Sequence, residues 1–209
     1  MLHTMTATTF GFRDLGTHGA ELTQFLRLRK RFFVDTLCWS IPHDDDMEMD
    51  QYDNPTAHYS VALRDGRVVG GARIMRYDAQ WGANGCMMAD AARGTLPDIP
   101  ASAVPASGLY AHASECTRLV LCDSLRAAPE REAALSIVVD GLVRLAQGLG
   151  TPELVTLTVP AFARSLRKMG YDASQIGDRW RSAQDGRSYA VLHMPAARND
   201  ACRSMRMKA

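Results

Sequence analysis

Apolar positions recur at helical spacing early in the chain. Leu22, Phe25, Leu26, Arg29 and Phe33 share one face, which predicts a helix over residues 20–36. Arg29 is out of place on that stripe, because Arg27, Lys30 and Arg31 occupy the flanks where a solvent-seeking arginine belongs. Either it snorkels, or it presents its fork to an anion beneath the helix. Two β-rich runs, HYSVAL (58–63) and VVGGARIM (68–75), flank Asp65-Gly66 and predict a hairpin. Gly70-Gly71 inside the second run suggests a bulge or a close backbone approach. Residues 76–107 give no clear pattern. Residues 109–121 predict a long strand, residues 129–147 a helix opened by Pro129, residues 153–159 a buried strand, 160–170 a short helix, and 188–194 a last strand. The tail from Pro195 reads as polar, basic and loose. The order of elements describes one mixed-sheet α/β domain with helices on its faces.

Composition narrows the function. A chain of 209 residues, 46% hydrophobic, can bury one real core. Its net charge of +1 argues for neither nucleic acid nor an anionic membrane as partner. No apolar run reaches the ~20 residues that membrane insertion requires. The N-terminus lacks the layout of a secretory signal, and five irregularly spaced cysteines fit free thiols, so a cytoplasmic location is expected. No CxxC pair is present, and the acidic run HDDD (43–46) lacks the glycine of a calcium loop, so no metal site is expected. That run reads as solvated.

Several charges stand where charges are costly. Arg73 lies in the hairpin, two residues after Gly71, while Glu115 and Arg118 lie in the long strand. Buried charges need partners, and Glu48, Asp50 and Asp53 before the hairpin are the nearest candidates. The three-residue separation of Glu115 and Arg118 puts them on opposite faces of a regular strand, unless a bulge intervenes. Alternation puts Cys116 opposite Glu115, where an inert buried thiol is the commoner state than a nucleophile.

The stretches RLRKRFFVDTLCW, MEMDQYD, VVGGARI and ECTRLVL, in this order and spacing, resemble the acyl-homoserine lactone synthases, the LuxI-type autoinducer synthases. The match runs from about Phe25 to Leu121 and more weakly to Tyr171. The resemblance implies a three-layer fold like that of the GCN5-related N-acetyltransferases, with residues 1–57 covering the cofactor site. It implies no permanent cofactor: S-adenosylmethionine is a substrate, and the acyl donor is a thioester of acyl carrier protein or coenzyme A. It implies Glu115 as first choice of base and Glu48 as second. Arg29 would anchor the substrate carboxylate, and Phe33 and Trp39 would help enclose the site. Asp50, Asp53, Arg73 and Arg118 would form a charged cluster beneath the covering segment.

The chain also departs from the family pattern. Arg76-Tyr77 stand where Pro-Thr is usual, and Thr117 replaces a serine. Ala92 stands where an aromatic is usual, which suggests a widened acyl pocket; Thr156 is a second candidate for that pocket. Arg126, Arg131, Arg164, Arg167 and Lys168 offer a basic patch for carrier docking, with Arg164 and Lys168 its centre. Two rivals are a coenzyme A-dependent N-acyltransferase of the same fold and a non-catalytic ligand sensor. The first is weakened because Ser124–Glu132 contains no glycine to bare a pyrophosphate cradle.

Overall fold

A computed structural model describes residues 4–199. Strand β1 (Met5–Gly11) precedes helix α1 (Leu15–Arg29), which passes into a π-helical turn (Lys30–Thr36). The hairpin follows as β2 (His58–Arg64) and β3 (Arg67–Arg76), then a short helix α2 (Met87–Ala92) and β4 (Ala113–Leu121). Next come α3 (Ala128–Gly148), β5 (Glu153–Thr158), α4 (Phe162–Lys168), β6 (Ser174–Arg181) and β7 (Ser188–Pro195). The seven strands form one sheet in the order β1-β2-β3-β4-β5-β7-β6. Every neighbouring pair is antiparallel except β4 and β5. Helices α3 and α4 pack on one face, with Val138, Val139, Leu142 and Leu166 against Ile74, Leu154 and Leu192. Helices α1 and α2 pack on the other, with Phe25 and Leu26 in one cluster and Met87 and Met88 in a second. No helix among the described residues is long and apolar enough to cross a membrane.

The Asp65-Gly66 turn has φ of 52° and 72°, the left-handed pair that matches the twist of adjoining strands. Both readings of Gly70-Gly71 hold. The β2–β3 register shifts just before this pair, with Val69 the extra residue between Gly70 and Val68, and a Cβ on Gly71 would stand 2.7 Å from the Phe25 ring. Arg118 has φ of 58° and breaks the alternation of β4. From Arg73↔Thr117 to Gly71↔Val120, two steps on β3 answer three on β4. That bulge turns Arg118 toward the face occupied by Thr117 and Arg73.

Four expectations change. Helix α1 starts five residues earlier than its apolar pattern, kinks at His18 and passes after Arg29 into the π-helical turn, which reaches the expected end at Thr36. Strands β1 and β6 were not expected, since neither alternates cleanly between apolar and polar residues. β1 also makes part of residues 1–57 an edge strand of the sheet, so the covering portion is the stretch after α1. The tail is anchored at its start: Ala196 is buried, and Arg198 is bonded to Asp140 by one guanidinium nitrogen at 2.5 and 2.7 Å. The rest of the tail lies outside the described residues.

Beyond Glu115↔Val155, β4 and β5 no longer pair, although β4 runs on to Leu121 and β5 to Thr158. The sheet therefore opens at its centre. Because the Phe25 ring occupies the space beside Gly71, Gly71→Ala should destabilise the fold by about 1–3 kcal/mol. Denaturant unfolding with an unchanged midpoint would refute the close approach.

Candidate active site

Six charges meet beneath the segment after α1. Arg29, on the last turn of α1, donates from Nε to Glu48 at 2.5 Å and from Nη1 and Nη2 to the two oxygens of Asp53 at 2.8 and 2.9 Å. Arg73 reaches from β3 to Asp50 at 2.5 and 3.2 Å, to Asp53 at 3.0 Å and to the Thr117 hydroxyl at 3.2 Å. Arg118, turned inward by its bulge, meets Asp50 at 2.8 Å and Glu48 at 3.3 Å. Tyr59 adds a hydroxyl to Asp53 at 3.0 Å. Three cations thus face three anions. Burial pushes Asp53 upward, but Arg73 and Arg29 outweigh it and hold the carboxyl well below the usual range; Asp50 is likewise held low by Arg73 and Arg118 against its burial.

The gap between β4 and β5 leads into a cavity of about 610 Å³. Its walls come from both faces of the sheet. Phe33, Trp39, Trp180 and Tyr189 line one end, and Val139, Leu142, Phe162 and Leu166 the other. Cys116, Thr117 and Arg118 line it between them, and Thr156 stands on its wall. Phe33 and Trp39 stack at 5.0 Å and 27°.

Glu115 sits just behind this wall. It is 1% exposed and does not border the cavity. Its Oε1 accepts the Met88 N–H at 2.9 Å at the start of α2, the Cys86 thiol lies beside the carboxyl, and Oε2 has no close hydrogen-bond partner among the described residues. Burial pushes its carboxyl up to about 7. A buried acid poised near neutrality is suited to proton transfer.

The chain matches the profile of the autoinducer synthases over residues 16–203. The chain belongs to the autoinducer synthase family. An acyl-homoserine-lactone synthase of Rhizobium radiobacter is 28% identical over 180 residues, covering 85% of this chain and 79% of that protein. Another, from Agrobacterium fabrum, is 29% identical over 158 residues, covering 75% and 71%. The CoA-dependent acyl-homoserine lactone synthase BjaI, solved with SAM and isopentyl-CoA, shares the fold. Its TM-score is 0.73 at 17% identity, covering 93% of this chain and 85% of BjaI. The synthase LasI superposes with a TM-score of 0.70 at 18% identity, covering 93% and 91%. The present chain is thus an acyltransferase of the acyl-homoserine lactone synthase class, on the N-acetyltransferase-like three-layer fold.

The structure revises three of the roles expected for this synthase. Arg29 is 0% exposed and is bonded to Glu48 and Asp53, so it cannot anchor a substrate carboxylate. Glu48 is equally buried, with one oxygen on Arg29 and the other on Arg118, which rules it out as a free base. Ala92 ends the six-residue α2, faces solvent and lies outside the cavity wall, so it does not widen an acyl pocket. Asp50, Asp53, Arg73 and Arg118 form one cluster, and Phe33 and Trp39 line one cavity end. Cys116 lines the cavity and packs against the α3 side, and burial pushes its thiol far up, away from a reactive thiolate. Arg164 and Lys168 are exposed on α4; Arg164, Arg167 and Arg179 border a groove, whereas Lys168, Arg126 and Arg131 do not.

Sequence reasoning missed the far wall: Trp180, Asp185 and Tyr189, around the β6–β7 turn. Trp180 and Tyr189 could have been flagged as aromatics, but nothing in their spacing tied them to Trp39. Removing the charge of Asp50 would leave Arg73 and Arg118 short of an anion inside the protein. Asp50→Asn should therefore cost roughly 3–5 kcal/mol of stability and most of the activity. Full turnover and an unchanged melting temperature would show that the cluster does not hold the site together.

Proposed function

We propose that the protein acylates the α-amine of S-adenosylmethionine from an acyl thioester and then closes a homoserine lactone with release of methylthioadenosine. One observation carries this reading. The cavity passes through the opened sheet, joining an aromatic end to an aliphatic end beside the bulge of β4. Aromatic faces suit a cationic adenosyl sulfonium. The aliphatic end, between α3 and α4, suits an acyl chain. The two substrates would then meet beside β4.

The amine nitrogen attacks the thioester carbonyl, the C–S bond of the thioester breaks, and a thiol leaves. Past Glu115, the edge of β4 that faces β5 has no strand partner, which supports main-chain N–H groups there as donors to the developing oxyanion. The amine must shed a proton. Because Glu115 lies behind the wall, it takes that proton through a relay past Thr117 rather than by direct contact. In the second step the substrate carboxylate forms a C–O bond to its own γ-carbon as the C–S⁺ bond breaks, and methylthioadenosine leaves neutral. Arg118 replaces Arg29 as carboxylate partner: its side chain is 10% exposed, it borders the cavity, and its guanidinium lies 5.5 Å from the Phe33 ring centroid. Both steps are displacements and call for no redox group.

Thr156 offers the acyl chain a hydroxyl on the cavity wall and favours chains with an oxygen near the thioester. Arg164, with Lys168 beside it, offers positive charge to the donor, whether a carrier protein or coenzyme A. BjaI is a CoA-dependent synthase, which keeps coenzyme A thioesters in the donor panel.

The deciding assay mixes purified protein, S-adenosylmethionine and a panel of acyl thioesters, and measures methylthioadenosine. Release that depends on a thioester is expected. Thioester consumption without it marks a plain acyltransferase, and binding without turnover marks a sensor. The active form of Glu115 is the carboxylate, so kcat/KM should rise with pH through about 7 and then level. Glu115→Gln should slow turnover by ~10²–10⁴-fold and remove that limb. Stability runs the other way. The folded carboxyl titrates near 7 against an ordinary 4.5, so the folded state holds the proton more tightly, and stability falls as pH rises across that window. Glu115→Gln should abolish this fall in thermal melts; a glutamine variant with wild-type pH dependence would exclude Glu115.

The same panel tests the donor side. Arg164→Glu with Lys168→Glu should raise KM for the acyl donor about tenfold at low salt, and less at high salt. Thr156→Ala should lower the share of 3-oxo products. Unchanged KM and an unchanged product profile would dismiss the two assignments respectively.

A further inference from the structure

The far wall of the cavity is built around one carboxylate. Cys38 takes a left-handed φ of 56° after the π-helical turn, and the Trp39 N–H bonds back to the Phe33 carbonyl at 2.9 Å. This turn aims the indole across the cavity mouth. Its Nε1–H donates to Asp185 Oδ2 at 3.0 Å, 146 residues further along the chain. The Tyr189 hydroxyl donates to the same oxygen at 2.5 Å, and the Arg187 N–H to Oδ1 at 3.0 Å. The rings follow these bonds: Tyr189 meets Trp39 edge-on at 6.3 Å and Trp180 at 5.9 Å. Trp39, Trp180 and Tyr189 all line the cavity, as do Gln184 and Arg187 from the turn.

The turn is itself shaped. Ser182 N–H bonds to the Arg187 carbonyl at 2.9 Å, Gly186 N–H to the Ser182 carbonyl at 3.0 Å, and Arg181 Nε to the Gly186 carbonyl at 3.1 Å. Asp185 is therefore presented from a braced turn, half-buried, to a partner on a separate segment. Burial raises its carboxyl, but the Tyr189, Arg187 and Trp39 donors outweigh that and keep it below the usual range, in the ionised form that accepts hydrogen bonds best.

We propose that Asp185 is a positioning residue for the S-adenosylmethionine site: by holding the Trp39 indole and the Tyr189 ring together, it joins the N-terminal segment to the β6–β7 turn as one wall of the cavity mouth. The proposal rests on the lactone synthase reading for the identity of the ligand. The geometry of the wall does not.

The indole N–H of Trp39 can be observed in the ligand-free protein by ¹⁵N-edited NMR, assigned by its absence in Trp39→Phe. In Asp185→Ala it should shift and exchange faster with solvent; an unmoved resonance overturns the contact. In steady-state assays Asp185→Ala should raise KM for S-adenosylmethionine about tenfold, the loss expected of one charge-assisted hydrogen bond. KM for the acyl thioester should hold, and the variant should still unfold cooperatively, with a modestly lowered melting temperature. Asp185→Asn, which keeps an acceptor oxygen, should recover most of that loss. The Trp39→Phe and Asp185→Ala effects should add less than fully in the double variant, because both break the Trp39–Asp185 bond. Additive effects, or a fall in kcat with KM unchanged, overturn the positioning role. Wild-type protein that releases no methylthioadenosine instead overturns the lactone synthase reading, and the NMR arm still decides the contact.

Discussion

The buried cluster of Arg29, Arg73, Arg118, Glu48, Asp50 and Asp53 is the interaction on which the rest of this site depends. Each charge taken from water costs several kcal/mol, and only close, hydrogen-bonded partners repay it. The three arginines come from α1, β3 and β4, and the three acids from the irregular segment between α1 and β2. No one element could satisfy its own charge. The arrangement is thus conditional: α1, the hairpin, the β4 bulge and the covering segment are each held in place by the others. A loose apolar contact would tolerate slippage; a set of bidentate pairs does not. The cluster is balanced in charge, three cations against three anions, and all but Arg118 and Asp50 are shut away from the cavity. It fixes geometry.

What it fixes is a roof over an opened sheet. The β4–β5 ladder ends at Glu115↔Val155, and the space past that rung becomes the passage between the two cavity ends. Glu115 is therefore the last residue of β4 still paired with β5, and the first turn of α2 covers its side chain. That position explains its two properties together. It is near the opening, yet dry enough to hold a proton close to neutral pH.

Much of this was legible in the residues, and what was not has identifiable causes. The periodic helices and the Asp65-Gly66 hairpin were visible because apolar burial imposes a period and a primed turn imposes its residues. The stretches β1 and β6 were not, being edge strands with many polar side chains. Arg29 shows a different limit. Its position on an apolar stripe announced a buried charge needing an anion, but spacing cannot say whether protein or substrate provides it. Both acids that took that role lie 19 or more residues away. Ala92 misled because a position aligned by motif was assumed to face inward, whereas the first five residues of α2 are buried and Ala92, the last, is exposed.

Arg118 shows how a local irregularity carries functional weight. In a regular strand its side chain would point away from Glu115, into the α3 side. The bulge costs a left-handed φ at a non-glycine residue, a conformation L-residues adopt at an expense of about 1–2 kcal/mol. That cost is offset by two ion pairs, to Glu48 and Asp50. The result is a cluster arginine with one side in the buried network and the other at the cavity. Arg29 and Arg73 are wholly enclosed, so only Arg118 among the three can respond to a ligand. A negative group bound beside it would compete for charge that otherwise belongs to Asp50 and Glu48. Any anion in the cavity would therefore meet the same guanidinium that Asp50 and Glu48 hold.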